Sequence, residues 1–413
     1  METKTANTKS TFSKIRDLWS KNPLYSTLFA LLVMIIIQAV VQCINTGSVI
    51  GMFGGLQRAW LNILRNNVYS GMIALGMCFI IISGGIDLSV GSMLCALGAM
   101  LMYLLDEKAG LLVAIGLTGV PAYVVAILLV IVAGYLLGHL NGSLISYGKL
   151  PPFIATLGTM KIFRSVTQEL TKTFNPEVPA AFKQLASFKI GGQVVLPIFY
   201  WIIVVIVMYI IFKKTAFGRQ TIAIGSNEKA AKLSGINVSR VKRRIYALGG
   251  VMTAIAAIIY IARIGSMDFA NAGNGYEMDA IAAVVVGGTS MAGGKGFLVG
   301  AFIGMLIIGV MNNILNTVGV PTFLCDAVTG VIIIFAVLMQ IKDQAYLSFT
   351  PFLKTSIQAL PLMIIKNHFE AAPFPCLNSR KYKRSTPQRA PFIVRLYFKH
   401  QIILNYLPRK RSY

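Results

Sequence analysis

The chain has 413 residues, 56% of them hydrophobic and only 13% charged, with a formal net charge of +24. Soluble domains average about 45–50% apolar residues with glycine counted, and about 25% charged ones, so a soluble globule and a disordered chain are both excluded. The strong basicity raises nucleic acid as a partner, and where the charges sit decides that question.

Residues 1–23 are polar and basic, with Lys4, Lys9, Lys14, Arg16 and Lys21 against Glu2 and Asp17. A charge-free run from Leu24 to Ile44 follows, long enough as a helix to cross a hydrocarbon core of about 30 Å. It shows no convincing signal-peptide cleavage site, so the span is expected to be retained. Further apolar segments lie at 67–83, 88–105, 112–138, 152–170, 195–212, 245–262, 279–292, 297–315 and 321–341. The backbone must satisfy its own hydrogen bonds in hydrocarbon, so these predict an all-α polytopic membrane bundle of about ten transmembrane helices. Residues 112–138 are long for one helix and contain Pro121; 279–292 are short enough to be half a helix.

Several polar groups interrupt this pattern. Ser83-Gly84-Gly85-Ile86-Asp87-Leu88-Ser89-Val90-Gly91-Ser92 breaks an apolar region with glycines that weaken a helix. Asp87 there is either a functional carboxylate at membrane depth or, with Ser89, the start of the next helix; the spacing favours the second. Lys161, Arg164 and Glu169 either line a polar path or mark an early end of the 152–170 span near Met160. Asn141, Asn312, Asn313 and Asn316 suit a hydroxylated solute or bonds between helices.

Residues 213–244 carry nine Lys or Arg against Glu228 alone. The positive-inside rule places them in the cytoplasm with the N-terminus, six crossings earlier, and places the acidic 263–279 connection outside. Within 213–244, Ser226 or Asn227 can cap a helix, Glu228 suits its first turn, and Gly235 suits its stop. A two-turn helix for a soluble partner and a plain basic loop both fit, and spacing alone favours the loop.

Catalysis has little support. Gly293-Gly294-Lys295-Gly296 fails the phosphate-loop pattern at both ends. His139, His368 and His400 are scattered, and Cys43, Cys78, Cys95, Cys325 and Cys376 form no metal or disulfide framework. A weak repeat pairs Gly84–Ser92 with Gly293–Ala301, and Leu144–Phe153 with Ile314–Phe323. The span count puts the second pair in opposite orientations.

Four stretches together resemble one family: Gly84–Ser92, then Pro151-Pro152-Phe153-Ile154-Ala155-Thr156-Leu157-Gly158, then Ala230–Val238, then Gly275–Gly294. It is the permease family of ribose-type sugar importers driven by ATP, with the xylose and galactose systems, and the resemblance covers about residues 55–340. It implies a permease subunit that forms the path for a monosaccharide across the bacterial inner membrane. It also implies a second permease copy, an ATPase subunit, a sugar-binding protein outside, and contact with membrane lipid but not nucleic acid. No cofactor, metal or catalytic residue is expected in this chain, because ATP and Mg are used by the partner ATPase. The resemblance makes 215–243 the ATPase-coupling loop, with Asn227, Glu228, Ala230, Ala231, Leu233, Ser234 and Gly235 as its contact residues. Candidates along the pathway are Asp87, Asn141, Arg164, Glu277, Asp279 and Asn312; of these Asp87, Glu277 and Asp279 fall in the shared motifs. The competing reading is an ion-coupled sugar transporter working without an ATPase.

The permease domain is expected over 24–341. Residues 342–413 read as an atypical basic tail: from 341 on the chain holds 13 Lys or Arg against Asp343 and Glu370. An altered reading frame past the last span is favoured over a basic tail lying on anionic lipid or an extra domain. The net charge is thus part cytoplasmic topology and part tail.

Overall fold

A computed structural model describes residues 23–338, except 109, 173–175, 191–192, 322–323 and 335–336. The expected segments 1–23 and 342–413 lie outside the described residues, apart from Pro23. The elements are α1 (Pro23–Thr46), α2 (Val49–Asn66), α3 (Val68–Ile82), α4 (Val90–Leu105), α5 (Gly119–Ser146), α6 (Pro152–Thr171), α7 (Leu196–Lys214), α8 (Ala216–Ser226), α9 (Glu228–Leu233), α10 (Val238–Ile264), α11 (Tyr276–Val286) and α12 (Leu298–Val318). A further short apolar helix, α13, spans Leu324–Ile334. A two-residue hairpin, Lys189–Ile190 with Gln193–Val194, is the only sheet among the described residues.

Every one of the ten apolar segments holds a helix. Among the described residues, five helices are long and apolar enough to cross a membrane, or six with α2 and α3 taken as one span bent by 53° at Asn67. The outward faces of α1 (Leu28, Phe29, Leu32, Ile36, Val40) and α7 (Ile202, Ile203, Ile206, Val207, Ile210) are exposed hydrocarbon. Such faces require lipid around them. The sequence reading missed α2, whose Gln57, Arg58, Asn62 and Arg65 dilute its apolar residues. It also placed α5 seven residues early. Pro121 falls in the first turn of α5, where its missing N–H costs nothing.

Two hairpins of matching form build the centre. In one, α3 leads through residues 83–89 into α4; in the other, α11 leads through 287–297 into α12. α3 is buried along its whole length, packed by α10, α11 and α12. The antiparallel pair α5 and α10 meets closely at glycines, main chain against main chain. A Cβ at Gly134 would stand 2.6 Å from the Gly250 carbonyl oxygen, and one at Gly142 would stand 2.6 Å from Arg243 Cα.

Candidate functional site

The turn between α3 and α4 gathers side chains from three other helices. Asp87 is fully buried. Its Oδ1 accepts the Ser89 N–H at 2.9 Å and the Ser89 hydroxyl at 2.6 Å. Asn141 of α5 donates from Nδ2 to Ser89 Oγ at 2.8 Å and to Asp87 Oδ2 at 3.4 Å. The Ile86 carbonyl accepts from Tyr246 of α10 at 3.3 Å and from Thr156 of α6 at 3.5 Å. Ser89 holds the N-cap position of α4 but makes no side-chain cap bond. Asp87 therefore braces the turn that precedes the helix rather than capping the helix itself.

This bracing has a measurable cost when removed. Asp87→Ala leaves two Ser89 donors and one Asn141 donor without their acceptor in a site closed to water. An unsatisfied buried group costs about 1–3 kcal/mol, so the variant is expected to melt several degrees lower in detergent. Asp87→Asn keeps one acceptor oxygen and is expected to lose less.

Of the other pathway candidates, Glu277 lies next to this turn: a Cβ at Gly91 would meet both the Gly273 carbonyl and Glu277 Oε2. Arg164 does not mark a helix end, since α6 continues to Thr171. It donates to the Ala272 carbonyl and to Asn274 Oδ1, both at 2.7 Å. Arg164 thus ties α6 to the 265–275 connection just before Glu277. In that connection, bonds from the Asn271 amide and the Ala270 N–H hold the Asp268 carboxyl below its usual range. No side-chain hydrogen bond among the described residues joins Asp279 or Asn312 to this group. Asn312 Oδ1 is buried with no partner among the described residues.

The 213–244 segment is helical through most of its length. Asn227 provides the cap of α9, its Oδ1 accepting the Ala230 N–H at 3.0 Å. Ser234 N–H bonds the Ala230 carbonyl at 2.9 Å, and Gly235 ends the turn at φ +83°. Ala231 is buried, while Leu233 is 89% exposed. Glu228 pairs with Lys242 at 2.7 Å, tying α9 to the start of α10. Asn237, not read as a cap from the sequence, caps α10 by accepting the Arg240 N–H at 3.0 Å.

The same segment reaches both glycine turns. Gly294 N–H donates to the Ile82 carbonyl at 2.8 Å. Gly225 of α8 fits against this bond, where a Cβ would meet both Ile82 O and Gly294 N. Ser226 Oγ donates to the Gly294 carbonyl at 3.4 Å. The first pair of the weak repeat therefore lies side by side at one end of the bundle, on α8.

A family model for the permease component of branched-chain amino acid transport systems matches residues 59–337. The chain belongs to this permease family. The permease is 44% identical over 290 residues to the ribose import permease protein of Bacillus subtilis, covering 69% of this chain and 85% of that one. It is 39% identical over 289 residues to the ribose import permease protein of Escherichia coli, covering 68% and 85%. It is 34% identical over 340 residues to the Escherichia coli xylose transport system permease protein, covering 67% and 83%. No solved structure matches the permease.

Sequence reasoning missed the junction of Ile82, Gly225 and Gly294. Its signal was faint: Gly225 sits in no glycine cluster, and only the fold brings it against two turns far from it in the chain.

Proposed function

We propose that the permease is the membrane subunit of an ATP-driven importer of a ribose- or xylose-type monosaccharide across the bacterial inner membrane. The identity to the ribose import permease, spread over 85% of that protein, carries this reading. ATP hydrolysis then resides in a partner ATPase with its Mg, a sugar-binding protein delivers the solute outside, and a second permease copy completes the membrane part. The N-terminus and the 213–244 segment face the cytoplasm, as their basic charge supports.

The mechanism follows from the contacts. ATP binding closes the ATPase subunits, and α9 is the docked element, presenting Leu233 outward while Ala231 and the Glu228–Lys242 pair fix it to the body. Displacing α9 displaces α8, which touches both glycine turns. Those turns lead into α4 and α12, and the first carries Asp87. Coupled movement of both hairpins changes which side the central path opens to. Asp87, Asn141, Arg164, Glu277, Asp279 and Asn312 are the polar candidates along that path.

Liposomes holding the permease, its ATPase and the binding protein are expected to take up labelled ribose or xylose only with ATP and Mg inside the ATPase compartment. Accumulation by the permease alone on an ion gradient would overturn the reading in favour of a secondary transporter.

A further inference from the structure

Arg243 lies on α10 where it meets α5 near the 213–244 end. Its Nη1 donates to His139 Nε2 at 3.4 Å, and its guanidinium lies 4.6 Å from the centre of the Tyr147 ring. His139 stacks in turn on Tyr135, ring centres 5.7 Å apart. Arg243 Nε, His139 Nδ1 and Ser146 Oγ are all buried without a hydrogen-bond partner among the described residues. No ion pair among the described residues includes Arg243. The half-buried cation is thus held in place by rings but left without a counter-charge.

Its surroundings face lipid. Tyr135, Leu136 and Leu140 on α5 and Tyr147 at its C-cap are 43%, 58%, 46% and 62% exposed. Arg243 is five residues into α10, and His139 is seven from the end of α5. At about 1.5 Å per residue both lie roughly 8–11 Å inside the helix ends, at the depth where tyrosines and basic groups meet lipid headgroups. An unpaired guanidinium is costly there, and a phosphate supplies both charge and paired acceptors.

We propose that Arg243, His139 and Tyr147 form a binding site for the phosphate of an anionic glycerophospholipid, with its chains along Leu136 and Leu140. The inference rests on the reading above only in placing this site in the cytoplasmic leaflet. The test needs no ATPase, so its failure and a failure of sugar uptake are separate results.

The purified full-length permease in detergent is mixed with equal amounts of phosphatidylglycerol and phosphatidylcholine, and retained lipid is read by native mass spectrometry. Wild type is expected to keep phosphatidylglycerol several-fold in excess, and R243Q to lose that excess. R240Q, an exposed neighbour on α10, is expected to keep it. Equal retention of the two lipids by wild type, or retention unchanged in R243Q, would overturn the site. Equal loss in R240Q would reduce it to general basic attraction. Displacement of the lipid by millimolar inorganic phosphate would make it a free-anion site instead. If R243Q does not purify as a folded species, His139→Gln carries the same expectation and the same refutation.

Discussion

Leu233→Glu is expected to stop ATP-driven sugar uptake while the permease stays folded in the membrane. At 89% exposure the leucine contributes almost nothing to the fold, so its replacement leaves the stability of the chain nearly unchanged. Facing a closed ATPase groove, the same carboxylate would be buried without a partner. Central interface residues of this kind cost about 2 kcal/mol or more when lost, a loss of more than tenfold in affinity at about 1.4 kcal/mol per decade. Two measurements check it: co-purification of the ATPase with the permease, and sugar moved per ATP consumed. Normal uptake by an intact Leu233→Glu complex would remove α9 from the coupling surface. Charge at Ala231 has the same expected outcome by another route, because Ala231 is buried on the body side of α9.

Gly225→Val is the second large effect. Its Cβ would stand against the Ile82 carbonyl and the Gly294 N–H, both main-chain groups that cannot rotate away. Overpacking such a site costs about 1–3 kcal/mol, sometimes more. The side chain also pushes apart the hydrogen bond from Gly294 of the second glycine turn to Ile82 at the end of α3. Melting is expected to fall and uptake to drop to background. Gly54→Ala is the control, since nothing lies within 4 Å of a Cβ there. A Gly225→Val protein that melts and transports like wild type would show that α8 does not seat on this bond.

Hydropathy made most of the bundle legible, and the errors have physical causes. The short 279–292 segment read as half a helix, and α11 is 11 residues long, with Gly288, Gly293 and Gly294 after it at positive φ. α10 begins seven residues before the apolar run, because Val238–Arg244 is charged yet still helical. The same thing hides the end of α5: His139 to Ser146 looks polar, but Asn141 bonds Asp87 and His139 meets Arg243 within the bundle. Within the site, the caps at Asn227 and Gly235 were visible because capping is local chemistry. The bonds from Asn141 to Ser89 and from Gly294 to Ile82 join residues more than 50 positions apart. No spacing rule in one sequence carries such pairs.

The glycine-lined seam between α5 and α10 has a mechanical consequence. Where main chain rests on main chain there are no rotamers to exchange, and the carbonyls of Gly134, Tyr246 and Gly250 act as fixed teeth. The two helices can only travel together, as a strut. Hinging is left to helices joined to their neighbours through side chains, such as α7, whose Trp201 indole sits over Gly71 of α3. Drift in sequence should be one-sided along that strut: free at outward-facing Leu128 and Val132, and barred at the teeth.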